Sequence, residues 1–125
     1  MQKEAMRYMQ NAKEVLLKSP IEENLYIDDK YVKMACGTAY LGVLKAIDDY
    51  LGRKGLGKKD LPRKVEEYRK ALQKYALPHN GKLLRQFDDL YDELHIAGYY
   101  HGNLHSAGAV KAAFQSAKAF IQKLA

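Results

Sequence analysis

The stretch MACGTAYLGVLKAI, residues 34–47, is apolar on nearly every side when wound as a helix. A helix of that kind cannot lie with one face in water; it has to run through the middle of a helical assembly, with neighbours on several sides. Ala35, Gly37, Ala39, Gly42 and Ala46 are all small. Glycine lowers helix propensity by about 1 kcal/mol relative to alanine, so these positions mark places where the close approach of another helix offsets that loss. Asp28 or Asp29 can accept the unpaired N–H groups at its start, and the predicted helix runs from about Asp29 to Arg53.

Four more helices are expected around it. Residues 3–18 carry the stripe Ala5, Met9, Ala12 and Leu16, widened by Tyr8 and Val15. Ser19, Pro20 and Glu22 read as one extra helical turn. Asp60 is expected to cap a third helix with Pro62 near its first position, burying Leu61, Val65, Tyr68, Leu72 and Tyr75 until Pro78 ends it. Asn80 would cap a fourth, with Leu83, Phe87, Leu90, Leu94 and Ala97 inward. The same stripe continues to His101, whose ring faces inward if the helix reaches that far. Gly102 or Asn103 separates this helix from a fifth, with Val110, Phe114, Ala117, Ile121 and Leu124 as its buried stripe. No segment shows the two-residue alternation of a half-buried strand. The expected fold is therefore all-α: an up-and-down four-helix bundle with a fifth helix or extra turn, forming one domain over residues 1–125.

The net charge of +6 is unevenly placed. Residues 53–85 hold eleven basic and three acidic side chains. Arg53, Lys54, Lys58, Lys59, Arg63 and Lys64 gather around GRKGLGKKD. That loop is predicted to be mobile, because one apolar side chain offers little burial against the entropy of ordering it. Such a patch attracts anions over a Debye length of about 10 Å, so these six residues are the candidates for binding nucleic acid. The polar opening MQKEAMRYMQ is unlike a signal peptide. The longest apolar run, MACGTAYLGVL, is shorter than the roughly 20 residues that span a membrane. A lone cysteine, Cys36, suits a reducing cytoplasm.

HIAGYYHGNLHSAG, residues 95–108, is the stretch richest in chemical groups. His101 and His105 have the i, i+4 spacing of helical metal ligands, but Gly102 and Asn103 break the helix between them. Asp92 and His95 form a single D-x-x-H, where a carboxylate-bridged dimetal bundle needs two. No metal or cofactor is expected. Cys36, inside the most apolar helix, is expected to be an inert small hydrophobe. Ser106 is expected to cap a helix rather than act as a nucleophile. The stretch reads first as the join between two helices. Gly98 and Gly102 supply its backbone freedom, and Tyr99 and Tyr100 cover the bundle end. A pocket lined by tyrosines is a weaker third reading.

The opening helix EAMRYMQNAKEVL, the central YVKMACGTAYLGVLKAIDDYL, and LHIAGYYHG leading into AVKAAFQSAKAFIQKL together resemble the HEPN superfamily of helical bundles. In HEPN nucleases that junction carries an arginine, then four to six residues, then a histidine. His101 matches the histidine. The arginine position falls within 94–96, which hold Leu94, His95 and Ile96, and the nearest upstream arginine is Arg85. The resemblance thus implies the fold without the full nuclease motif. RYMQNAKEVL, DDKYVKMACGTAYLGVLKAID and GYYHGNL also resemble an uncharacterised family of small bacterial proteins, a domain of unknown function, over the whole chain. The function expected is a non-catalytic cytoplasmic interaction or adaptor module, a homodimer, with a protein partner. The alternative is RNA binding or degenerate RNA processing, in which His101 would be the general acid or base and His95 the second choice.

Overall fold

The computed structural model describes residues 2–125. It is mostly helical: α1 (Lys3–Leu16), α2 (Asp29–Arg53), α3 (Val65–Tyr75), α4 (Asn80–Leu90), a π-helical segment (Tyr91–Tyr100) that continues α4, and α5 (Ala107–Lys123). A hairpin of β1 (Ile21–Glu22) and β2 (Leu25–Tyr26) joins α1 to α2, and a 3-10 turn (Lys58–Asp60) precedes α3. No described helix is long and apolar enough to cross a membrane.

α2 lies in the middle. Val32, Ala35, Cys36, Ala39, Val43, Ala46, Ile47 and Leu51 are each almost wholly buried. Asp28 caps the helix, its side chain accepting the Lys30 N–H at 3.2 Å. α1 runs antiparallel along one side. A Cβ on Gly42 would lie 3.0 Å from Tyr8 Cβ and 3.1 Å from the Ala5 carbonyl, so this glycine marks a close helix approach. Gln2 joins three elements, its amide donating to the carbonyls of Ala46 at 3.1 Å and Leu124 at 3.2 Å. Phe87 of α4 packs among Tyr40, Tyr68 and Phe120, bringing α2, α3 and α5 to one point.

The π-helical segment crosses α2 still more closely. A Cβ on Gly98 would fall 2.6 Å from Cys36 Sγ and 2.7 Å from Cys36 Cβ. Gly98 has no positive φ, so the position requires space rather than the backbone freedom expected of it. One residue later along α2, Gly37 lies under the ring of Tyr99, 2.8 Å from the place of its missing Cβ.

Several expectations need correction. The segment after α1 is a hairpin and not a helical turn, because Glu23 and Asn24 both take positive φ, 51° and 65°, as a two-residue primed turn requires. α1 ends at Leu16, short of Lys18. Asp60 closes the 3-10 turn and does not cap α3. Pro62 holds Leu61 extended (ψ 146°), which delays the helix to Val65. Glu67 accepts the Arg63 N–H at 2.7 Å instead. Asn80 is the first residue of α4 rather than its cap, and its amide donates to the Gln73 carbonyl. In the loop expected to be mobile, Leu56 N–H bonds the Leu51 carbonyl at 3.1 Å and its side chain packs against the core.

The fourth stripe also departs from α geometry. In the π-helical segment each N–H reaches back five residues, as His101 N–H does to the Ile96 carbonyl at 2.9 Å. The wider turn brings Gly98 inward after Leu94, where an α-helix would bring Ala97. His101 therefore emerges exposed rather than facing the core.

Gly98→Ala is expected to lower stability by about 1–3 kcal/mol through overpacking against Cys36. Gly37→Ala should be near neutral: half-exposed Tyr99 can swing away, and alanine regains helix propensity. Denaturant midpoints of the two variants check this, and equal effects would contradict it.

Candidate functional site

The three histidines of the 95–108 stretch occupy three separate settings. His95 sits in an aromatic ladder. Tyr91, His95 and Tyr99 follow one another along the π-helical segment with ring centroids 5.3 and 5.9 Å apart, and Tyr40 of α2 stacks on His95 at 4.8 Å. The Arg69 guanidinium closes the row, 5.5 Å from the Tyr91 ring, while Asp88 holds its Nε at 2.6 Å and Glu66 holds its other arm. His101 lies beyond the end of the segment, edge-on to Tyr100 at 5.0 Å. His105 pairs with Asp29 at the start of α2, Nδ1 to Oδ1 3.2 Å, and its carbonyl accepts the Tyr26 N–H at 2.9 Å. Among the described residues no three His, Cys, Asp or Glu side chains converge as metal ligands.

Neither nucleophile candidate is activated. Ser106 Oγ caps α5 by accepting the Ala109 N–H at 3.3 Å. Cys36 is fully buried, and burial pushes its thiol up to about 12. Burial also raises the phenols of Tyr40 and Tyr68; Tyr91 adds to the first effect while Arg69 opposes it, and Asp48, which accepts the Tyr68 O–H at 3.0 Å, adds to the second.

The basic candidates gather at the opposite end of α2. Lys54, Lys59 and Arg63 line a concavity of about 770 Å³ with Lys70 and Lys74 of α3. Its floor is Leu56, Leu61, Ala71 and Tyr75, and two carboxylates, Asp60 and Glu67, share it. Arg53 and Lys58 line a neighbouring concavity of about 560 Å³ that also holds Asp48 and Asp49. Arg53 also donates to the Leu124 carbonyl. Lys64 is exposed at the start of α3 and lines neither.

Lys33, whose side chain lies over Gly102, is twenty residues before Arg53 on α2, so about 30 Å separates the Gly102 end of the stretch from Arg53 at 1.5 Å per residue, and His95, stacked on Tyr40, is about 20 Å from it. The two sets of candidates do not form one site. Arg69, Lys70 and Lys74 were missed by the sequence reading. The row Arg63, Glu67, Lys70, Lys74 has helical spacing and could have revealed the wall of the concavity.

The raised thiol and phenol values set a pH dependence. A group whose folded pKa lies above its unfolded value contributes fully below the unfolded value, and the contribution fades as pH climbs toward the folded one. Stability should therefore hold up to about pH 9 and decline from there toward 12, the range over which burial lifts the Cys36 thiol. Denaturant midpoints against pH measure this; a midpoint unchanged at pH 11 would contradict it. At pH 8 the native thiol should resist a disulfide reagent that modifies the unfolded chain at once.

A family model described as Domain of unknown function (DUF5618) matches residues 1–125. Among solved structures, a protein of unknown function from Dyadobacter fermentans is similar: 39% identical, covering 98% of this chain and 92% of that one, with a TM-score of 0.81. None of the curated proteins matches the chain. By the match over its whole length, the chain belongs to the DUF5618 family.

Proposed function

We propose that this protein is a non-catalytic cytoplasmic interaction module with a HEPN-like order of helices, and that it pairs with a second copy of itself through the outer face of α2. One observation carries the reading. Met34, Thr38 and Leu41 lie one helical turn apart on α2, and the exposed ring of Tyr99 rests on Gly37 between them. Met34, Leu41 and Tyr99 are about half exposed (51%, 52% and 48%). An apolar row of this length, contributed by two adjoining elements, is the kind of surface that soluble proteins reserve for partners. A twofold pairing needs a single self-complementary patch, and a straight helical row supplies one.

Sedimentation across micromolar concentrations tests it. The chain is expected to dimerise, and Leu41→Asp with Tyr99→Ser is expected to weaken dimerisation at least tenfold at unchanged helicity. A wild-type chain that stays monomeric, or a dimer that the double variant leaves intact, would contradict the proposal.

The second reading, RNA binding without cleavage, is favoured by the five cations of the α3 concavity, none of which forms an ion pair among the described residues. Its distance from His101 argues against cutting. Single-stranded RNA should then bind with a log K that falls with log salt at a slope of up to about −3.5, and Lys59→Glu with Lys70→Glu should remove it. Cleavage abolished by His101→Ala would overturn this reading.

A further inference from the structure

Apart from both surfaces, the seam between α1 and α5 contains a partly enclosed cavity of about 250 Å³. Its floor is apolar: Met9, Leu16 and Phe114, all buried. Tyr26 of the hairpin closes one end, and Leu17, 75% exposed, stands at the lip. The rim is of a different kind. Lys13 comes from α1, and Lys111 and Lys118, two turns apart, come from α5 with Gln115 between them. No carboxylate lines the cavity, and none of the three lysines forms an ion pair among the described residues. The α3 concavity differs in being wide and in carrying Asp60 and Glu67 among its cations.

We infer that this cavity is a binding site for a small amphipathic anion, an unbranched or aryl apolar body ending in one carboxylate. The floor excludes a ligand that is charged throughout, because buried Met9 and Phe114 offer it no polar partner. The rim excludes a cation, which would meet three ammonium groups and no counter-charge. A neutral apolar body satisfies the floor but leaves the lysines unused. At the roughly 30 Å³ that a small group occupies in a liquid, the volume holds about eight such groups, the length of an octanoyl chain. Met9, unbranched and adaptable, lets the floor shape itself to that chain. Leu17 covers it from the solvent side. The carboxylate then lies at the rim, within reach of Lys111 and Lys118 on one wall and Lys13 on the other, with the Gln115 amide as a neutral donor.

The test uses three probes with one body and different heads: octanoate, octanol and octylammonium, titrated into the full chain and followed by amide chemical shifts. Octanoate is expected to saturate at concentrations on the order of 1 mM or below, shifting Leu17, Tyr26, Phe114 and Gln115. Octanol should bind at least tenfold more weakly, and octylammonium should not bind. In Lys111→Glu with Lys118→Glu the order should reverse, with octylammonium binding and octanoate excluded. Lys111→Arg with Lys118→Arg should keep the wild-type order. Equal affinity for the three heads, shifts centred on Met34 and Leu41 instead, or no saturation by octanoate would each overturn the proposal. Failure of this test leaves the pairing proposal standing, because the two surfaces share no residue.

Discussion

The contact between Cys36 and the bare backbone of Gly98 fixes where everything in the second half of the chain can go. With the missing Cβ only 2.6 Å from the cysteine sulfur, the π-helical segment and α2 meet at a distance no side chain allows. Once that crossing is set, Tyr99 must lie on Gly37, His95 must stack on Tyr40, and Gly102, with its positive φ of 64°, must turn the chain beside Lys33. Asn103 N–H then closes the segment on the Ala97 carbonyl at 2.7 Å. The next residues are held from outside: Ala107 N–H donates to the Asn24 carbonyl, so the hairpin anchors the start of α5.

The same crossing separates the chemical groups of the molecule. α2 is long, and its two ends carry different chemistry: histidines and tyrosines near residue 33, lysines and arginines near residue 53. A nuclease-like site would need both at one place. The intervening length of helix keeps His101 and His105 from the basic end, and Arg69, which reaches the His95 row, is held by Asp88 and Glu66. The acids around the end of α4, Asp89, Asp92 and Glu93, crowd one another enough that burial and mutual repulsion raise the Glu93 carboxyl. They add negative charge along the π-helical segment rather than a counterpart to the basic end. What remains on the surface is suited to binding: an apolar row on α2, a cationic concavity at α3 and a lysine-rimmed cavity between α1 and α5.

Much of this was legible in the residues. The all-round apolar character of 34–47 identified the central helix and the acids at 28–29 its start, and the stripes of α1 and α5 are buried as read, Ala5 to Leu16 and Val110 to Leu124. What escaped had a physical reason in each case. A hairpin with two-residue strands is too short to show alternation, and only Asn24 hinted at its turn. Pro62 looked like a first-turn proline, yet its effect on the residue before it proved stronger. The largest miss followed from period. A stripe extrapolated at 3.6 residues per turn cannot anticipate a switch to π winding, so Ala97 and His101 were placed inward when Gly98 belongs there. The close approaches at Gly42 and Gly37 were read from small residues in a helix that had every reason to be large. Gly98 carries the same signal, but within the join HIAGYYHGNLHSAG it reads as a source of backbone freedom. The lysines of α5 and α1 lie too far apart in sequence for any local pattern to join them.

The crossing of α2 depends on Gly98, rather than Ala97, facing Cys36, and nuclear Overhauser contacts read that register directly. The structure predicts cross-peaks between the Gly98 Hα protons and the Cys36 Hβ protons, with none from the Ala97 methyl group to Cys36. A strong contact from the Ala97 methyl to Cys36, with Gly98 giving none, would mean ordinary α winding through the segment and would contradict the arrangement described.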